Sequence, residues 1–379
     1  MCRFVLLLLI LVLLACTIPC AAAPVAHAVG TPPATSAASH VLMDADSGRI
    51  LAEKDADVRR PMASTTKIMT ALLALELLDP ERVITVPPEA VGVEGSSIYL
   101  YHGERITVRT LLFALMLSSA NDAAVALAIA ASGSVEAFAA RMNEKAAELG
   151  LADTHFCNPN GLHEEAHYTT ARDLARLTAA ALSNEAFAEL VATRRYTAPQ
   201  DGTDATRLFL NHNRLLRTLD GAIGVKTGFT RAAGRCLVSA ARRDGLTLIA
   251  VTLHAPDDWR DHASLLEWGF SAYRRFTPSP ADVIVPVVGG TQGSVTLTPS
   301  GTLSLLLPRD GAQIECLLEA PRFLFGGFGA GEVKGRLVYY VNGKRAGDLS
   351  LVTASGTEAA RETGFLTRLF DRIKHFFTD

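Results

Sequence analysis

The chain has 379 residues, 49% of them apolar and 20% charged, which excludes a disordered polar tract and favours two cored domains over one. Lys and Arg total 36 against 39 Asp and Glu, a formal charge of -3. That balance lacks the basic excess of a nucleic-acid binder, so no nucleic-acid partner is expected.

The first residues read as a leader. One arginine, Arg3, precedes an unbroken apolar run from Phe4 to Ala15, and small residues follow with an A-x-A pattern at Ala26-His27-Ala28. The run is shorter than the ~20 residues a membrane-spanning helix needs. A signal peptide over residues 1–28 is expected, with an uncleaved anchor or lipidation at Cys16 as the alternatives. Export then follows. Three of the six cysteines lie in this leader; Cys157, Cys236 and Cys316 remain, widely spaced and without a C-x-x-C pair. Buried free thiols fit better than a metal site, and no metal is expected.

A mobile lead-in, residues 29–39, precedes "HVLMDADSGRILAEKDAD", two short strands around an Asp46-Ser47-Gly48 turn. "TTKIMTALLALELL" has the broad apolar stripe of a buried helix, stopped by Asp79-Pro80. Residues 108–131 are helical again, interrupted by "SSAND"; residues 134–149 form an amphipathic helix ended by Gly150. "NPNGLHEEAHYTT" is loop chemistry, and "ARDLARLTAAALS" and "NEAFAELVAT" are two more helices. "GAIGVKTGFT", "RCLVSAAR" and "LTLIAVTLHA" read as strands, and "DHASLLEWGFSAYRRF" as helix. Strands at both ends of a helical middle predict one α+β domain over 29–277. Composition changes around Pro278-Ser279-Pro280, and strand-like runs punctuated by Gly and Pro predict a small β-rich domain over 278–356. Residues 357–379 read as an amphipathic helix: Phe365, Leu366, Leu369, Phe370, Ile373, Phe376 and Phe377 share one face. It is too short to cross a bilayer. It suits a membrane surface or the flank of the β domain.

Three short motifs carry chemistry. Ser64 and Lys67 lie three apart at a helix start, so they share a face. A serine hydroxyl needs an adjacent base, and a lysine serves once burial or a nearby cation lowers its pKa. Free N–H groups of the first turn suit an oxyanion. Ser-x-x-Lys arises about once by chance in a chain of this size, so a capped helix with a solvated lysine competes with this reading. Ser119-Ala120-Asn121 sits at a helix–loop junction, where the hydroxyl can pass a proton and the amide can hold a substrate amide; plain turn chemistry is the alternative. Lys226-Thr227-Gly228 lies on a strand. Alternation puts Lys226 and Gly228 on one side and Thr227 on the other, so a twist or an edge position is needed for both to reach one substrate. A strand-to-turn junction with an exposed lysine is the competing account.

Taken together and in this order, the motifs match the S-x-x-K, S-D-N and K-T-G set of class A β-lactamases and penicillin-binding proteins, with Ala120 at the middle of the second. "PMASTTKIMTALLALE", "LSSANDAAVALA", "FCNPNGLHEEAHYTTARDLARL" and "VKTGFTRAAGRCLVSAARRDG" resemble the D-alanyl-D-alanine carboxypeptidases, low-molecular-mass penicillin-binding proteins. The likeness covers about residues 38–275 closely and the β-rich part more loosely. It implies a penicillin-binding, β-lactamase-like transpeptidase domain, an antiparallel sheet with a helical subdomain, followed by the small all-β domain and the terminal helix. It implies Ser64 as acylated nucleophile, Lys67 as base and Ser119 as proton relay. It implies Asn121, Lys226, Thr227 and Gly228 as substrate contacts, and the N–H groups of Ser64 and Phe229 as the oxyanion hole. The substrate would be a peptidoglycan stem peptide ending in D-Ala-D-Ala, β-lactams would inhibit, and no cofactor is implied. Ala120 departs from the Gly or Asp common in relatives, and Phe229 is a second departure with only a backbone role. Competing readings are a β-lactamase-like hydrolase and a non-catalytic peptidoglycan-binding protein. His163 and His167, four apart, lack a third metal ligand. Trp259 and Trp268 read as core, and Arg194, Arg195 and Arg260 are open candidates for a carboxylate contact.

Overall fold

The structure is a computed structural model and describes residues 30–359. The expected signal peptide, with Cys16, and the expected tail helix from residue 360 on lie outside the described residues. The described chain divides into two units, Gly30–Arg275 and 276–359.

In the first unit, β1 (Ser39–Asp44) and β2 (Ile50–Lys54) form the hairpin expected around Gly48, which supplies the positive φ of the turn. A 3-10 turn, Ala63–Thr66, runs into α1 (Lys67–Leu77). A two-strand ribbon, β3 (Val83–Thr85) with β4 (Arg105–Thr107), leads to α2 (Val108–Leu117) and α3 (Asn121–Ser132), with "SSA" as the break between them. Then come α4 (Val135–Glu148), α5 (Ala171–Leu182) and α6 (Glu185–Ala192). Each of these three starts on a side-chain cap: Ser134, Thr170 and Asn184 accept from the N–H three residues on. Such caps satisfy donors that a helix start leaves unpaired. A hairpin, β5 (Arg195–Pro199) and β6 (Thr206–Leu210), and a single helical turn, α7 (Leu215–Thr218), precede β7 (Ala222–Thr230), β8 (Gly234–Arg243) and β9 (Leu246–Leu253). Helix α8 (Asp258–Ala272) stops earlier than expected, and Tyr273–Phe276 is extended as β10.

The strands make one antiparallel sheet in the order β2-β1-β9-β8-β7. It joins the first strands of the unit to strands some two hundred positions later, as the split of strand-like segments implied. β9 is buried along its whole length, which explains why "LTLIAVTL" is apolar without alternation. Val41, Met43, Val238, Ile249 and Val251 join the core that holds α1, α2 and α3. Residues 67–74 of α1 and nearly all of α2 are buried, as helices with apolar residues on every side should be. α1 is therefore a fixed rod through the subdomain, and its first turn cannot shift without disturbing that core.

The second unit holds β11 (Val283–Val288), β12 (Ser294–Ser300), β13 (Leu305–Pro308), β14 (Ile314–Glu319), β15 (Leu324–Phe325), β16 (Val333–Val341) and β17 (Lys344–Thr353). Six of them form a sheet in the order β14-β16-β17-β12-β11-β15, over a core of Val285, Val287, Leu297, Leu307, Leu337 and Leu351. Thr357 and Ala359, assigned to the head of the terminal helix, are extended instead and bridge to Phe328 and Gly290.

Candidate active site

Ser64 stands in the turn before α1, and the turn is tightly held. Ala63 takes a positive φ of 48°, a conformation that costs a residue with a Cβ and persists where the surroundings impose it. The Thr65 hydroxyl donates to Met62 O at 2.7 Å and the Thr66 hydroxyl to Ala63 O at 2.9 Å. His167 Nδ1 accepts from the N–H of Cys157 at 3.0 Å, which leaves its Nε2–H to donate to Thr66 Oγ1 at 2.7 Å. Both ring nitrogens are used, so His167 is a clamp on this turn and not half of a metal pair with His163. Burial lowers its pKa to about 4. Gly161, at φ 88°, lies directly beneath: a Cβ there would sit 2.0 Å from Ala63 O.

Lys67 is fully buried, against the solvated alternative. Its Nζ lies 2.9 Å from Ser64 Oγ, 2.7 Å from Asn121 Oδ1 and 2.6 Å from Asn160 O. Its pKa is driven well below the usual lysine value by burial first and by the charge of Lys226 second, with Asp122 opposing. A neutral amine has two N–H groups and one lone pair. The two N–H groups suit Asn121 and Asn160, and the lone pair then faces the Ser64 hydroxyl.

Asn121 opens α3, as the junction reading required. Its Oδ1 accepts from Lys67, and its Nδ2 donates to Glu94 O at 2.6 Å. One N–H and one lone pair of the amide remain for a substrate. Ser119 is buried at a positive φ of 59° between α2 and α3. Its hydroxyl makes no hydrogen bond to Ser64 or Lys67 in this arrangement. Beside it, the His212 N–H donates to Leu117 O.

β7 is the edge strand of the sheet, the position that Lys226 and Thr227 needed. A Cβ on Gly228 would lie 3.1 Å from Ser64 N and 3.2 Å from Met62 O, so only glycine lets this strand pass the Ser64 turn so closely. Lys226 is buried rather than exposed, its Nζ donates to Thr227 O at 2.9 Å, and burial lowers its pKa to about 7. Phe229 projects outward and lines a cleft of about 640 Å³ together with Ser64 and Asn121. Ser64, Lys67, Asn121 and Gly228 are thus in direct contact, and Lys226 is near enough to act on Lys67 electrostatically. Ser119 and Thr227 border the group without bonding to Ser64 or Lys67.

Sequence reasoning missed Asn160, because its contribution is a backbone carbonyl. The N-P-N-G run was its one signal, as a turn able to aim such a group: Asn158 Oδ1 accepts from Gly161 N and Asn160 Oδ1 from Leu162 N. It also missed Asp122, whose carboxylate accepts from Ser97 Oγ at 2.6 Å and from the N–H groups of Ile98 and Leu100 at 3.1 Å. Arg194, Arg195 and Arg260 do not line the cleft; Arg231 does. Trp259 and Trp268 are half-buried rather than core. Arg214 and Arg235 flank the Trp259 ring, and Trp268 Nε1 donates to Gly30 O.

A helical subdomain on an antiparallel sheet, with a serine and a buried lysine on one turn and a K-T-G edge strand beside them, defines a penicillin-binding type of serine peptidase. Residues 26–257 match the Peptidase_S11 family model, D-alanyl-D-alanine carboxypeptidase. The chain belongs to that family. It is 36% identical over 284 residues to the D-alanyl-D-alanine carboxypeptidase DacF of Bacillus subtilis, covering 72% of this chain and 73% of the relative. It is 32% identical over 364 residues to DacC of Escherichia coli, covering 90% and 88%. Penicillin binding protein 5 from Haemophilus influenzae superposes with a TM-score of 0.70 at 28% identity, over 87% of this chain and 99% of that one. The Streptomyces K15 DD-transpeptidase gives 0.61 at 37% identity, over 64% and 99%.

Proposed function

We propose that Ser64 is the nucleophile through which this serine-type D-Ala-D-Ala carboxypeptidase removes the terminal D-Ala from peptidoglycan stem peptides. The observation that carries the assignment is the 2.9 Å contact between Ser64 Oγ and the buried amine of Lys67. Neutral Lys67 takes the Ser64 proton as Oγ attacks the carbonyl of the penultimate D-Ala. The N–H groups of Ser64 and Phe229 stabilise the oxyanion. Lys226 and Thr227 hold the terminal carboxylate, and Gly228 gives the substrate backbone room. The remaining N–H and lone pair of Asn121 hold a substrate amide. The Ser119 hydroxyl relays a proton to the departing amine, so D-Ala leaves as the C–N bond breaks. Water then attacks the ester on Ser64, with Lys67 again accepting a proton, and the shortened peptide leaves as a carboxylate. A β-lactam enters the same path, and its opened ring stays esterified to Ser64.

Intact-mass measurement after benzylpenicillin treatment tests this. Wild type gains one penicilloyl group and Ser64→Ala none, and only wild type releases D-Ala from a D-Ala-D-Ala peptide. Acylation of the Ser64→Ala protein overturns the assignment.

Export of the chain, with residues 1–28 removed, and work at the outer face of the membrane or in the wall belong to the same proposal. The leader pattern and the location of peptidoglycan support it. Residues 360–379 lie on the membrane surface in this reading, on the strength of the apolar face that begins at Phe365. Mass analysis of the mature protein and its sedimentation with lipid vesicles check the two ends.

A further inference from the structure

We propose that Asp122 is a positioning residue that acts through Lys67: it is the counter-charge of the ammonium that Lys67 becomes when it takes the Ser64 proton. The proposal rests on Ser64 as nucleophile and Lys67 as base. In that step the Ser64 Oγ–H bond breaks, Oγ bonds to the carbonyl carbon, and the proton makes a third N–H on Lys67 Nζ. A positive charge then sits on a fully buried group, where an uncompensated charge is costly. Lys226 on β7, also buried, repels it. The substrate carboxylate is the partner of Lys226. The groups that touch Lys67 Nζ, Ser64 Oγ, Asn121 Oδ1 and Asn160 O, carry no charge before the reaction. His167, the other ionisable neighbour of this turn, is neutral in its clamp. The anion that supports Lys67 has to come from elsewhere.

The first turn of α3 supplies it. Asp122 follows Asn121 there and is 1% exposed. Its carboxylate accepts from the Ser97 hydroxyl at 2.6 Å, from the N–H groups of Ile98 and Leu100 at 3.1 Å, and from the N–H of Ala123 at 2.9 Å. A carboxyl group that only accepts is in its ionised form, and the N-terminal turn of a helix favours negative charge. Among the described residues Asp122 has no cationic partner to cancel that charge at short range. The charge acts on Lys67, favouring its protonated form against burial and Lys226. Asp122 is also fixed in place. Its bonds to residues 98 and 100 flank Tyr99, which is exposed at a positive φ of 58°, a conformation that persists only where the surroundings impose it. The same loop closes on the neighbouring amide: Asn121 Nδ2 donates to Glu94 O, and a Cβ on Gly95 would lie 2.7 Å from that nitrogen. Asp122 therefore anchors the loop that orients Asn121 and keeps an anion behind the base.

The test follows benzylpenicillin acylation against pH by intact mass in wild type, Asp122→Asn, Asp122→Glu and Ser97→Ala, each checked for folding by circular dichroism. Asp122→Asn keeps the size of the side chain and loses its charge. Its rising limb is expected to move to lower pH, because the ammonium has lost its support. Its plateau is expected to fall about tenfold, because Lys67 is then a weaker base. Asp122→Glu retains the charge, and Ser97→Ala loosens the loop without altering it, so the limbs of both stay with wild type. A purely structural Asp122 would lower the rate at every pH and leave the limb in place. A limb that stays, or moves to higher pH, in Asp122→Asn overturns the proposal, and so does a move to lower pH in Ser97→Ala or Asp122→Glu. If Asp122→Asn does not fold, Asp122→Ser, whose hydroxyl still accepts from the loop, takes its place with the same expectation. Wild type that is not acylated at any pH overturns the Ser64 assignment and this proposal with it, whereas acylation with one common limb in all four proteins overturns the role of Asp122 only.

Discussion

In the proposed mechanism Lys67 and Lys226 carry the chemistry, and each is useful in a different protonation state. Lys67 acts as a base only when neutral, and burial, with the charge of Lys226, favours that form by lowering its pKa. Lys226 attracts a carboxylate only when charged, and it loses that charge as pH rises through about 7. The kcat/KM of the free enzyme is therefore expected to rise with the deprotonation of Lys67 and to fall above about pH 7. A bound carboxylate beside Lys226 raises its pKa, so kcat at saturating peptide should hold to higher pH than kcat/KM. Lys226→Ala removes the charge that depresses Lys67, and the rising limb of benzylpenicillin acylation should move to higher pH. An unmoved limb would show that burial, not Lys226, sets the base. Gly161 gives a second prediction at this scale. Alanine there must push Ala63 O away from a 2.0 Å contact, and Ser64 moves with it. Because displacements near 1 Å cost about 100-fold in rate, Gly161→Ala should slow acylation by about that factor while the protein stays folded by circular dichroism. The side chains of this site were legible because Ser64, Lys67, Asn121 and Lys226 are chemically distinctive. The carbonyl of Asn160 was not, since every residue has one and only folding decides where it points.

At the scale of elements, His167 ties the loop over residues 157–167 to the Ser64 turn. His167 is neutral when it accepts from Cys157 N–H and donates to Thr66, and protonation breaks the first of these bonds. Its folded pKa of about 4 lies below the ordinary histidine value of 6.5. The unfolded chain thus binds the proton more readily, and the stabilisation from this group is complete above pH 6.5 and falls as pH drops toward 4. At about 1.4 kcal/mol per unit, the loss approaches ~3 kcal/mol over that window. Urea unfolding at pH 7 and at pH 4.5 should show this loss in wild type and a smaller one in His167→Gln. Equal losses in both proteins would place the acid sensitivity elsewhere, His262 being the other deeply buried histidine, with a pKa of about 3. The long elements were readable from the sequence because their burial is simple. α1 is apolar on every side, α5 is apolar on one, and β7 to β9 are strand-like runs parted by turns. The β5–β6 hairpin was hidden because it buries little: Ala198 and Phe209 point inward while Arg195, Thr197, Leu208 and Leu210 are exposed. β3 and β4 are three residues each and stand twenty positions apart, too short to show a period. α8 ended early because Tyr273 is followed by two arginines, and one of them has work elsewhere in the fold.

That arginine connects the first strand of the Gly30–Arg275 unit to its last residue. Asp44 at the end of β1 is fully buried. The Arg275 side chain is 6% exposed, and its Nη2 lies 2.6 Å from Asp44 Oδ1 and 2.6 Å from Asp46 Oδ2. The Ser47 hydroxyl completes the Asp44 carboxylate at 2.5 Å, while Arg275 Nε is buried without a partner. A buried ion pair contributes little net stability over an apolar pair of the same shape, because desolvation offsets the attraction, but breaking it strands one charge in the interior. Arg275→Met should therefore cost about 3–5 kcal/mol in unfolding free energy. Asp44→Asn combined with Arg275→Met should recover most of that loss, since the remaining amide can still accept from Ser47. The double-mutant cycle by denaturant titration decides the matter. A single substitution costing less than about 1 kcal/mol, the range of surface pairs, would mean that water reaches Asp44 and that the pair is not what closes the unit.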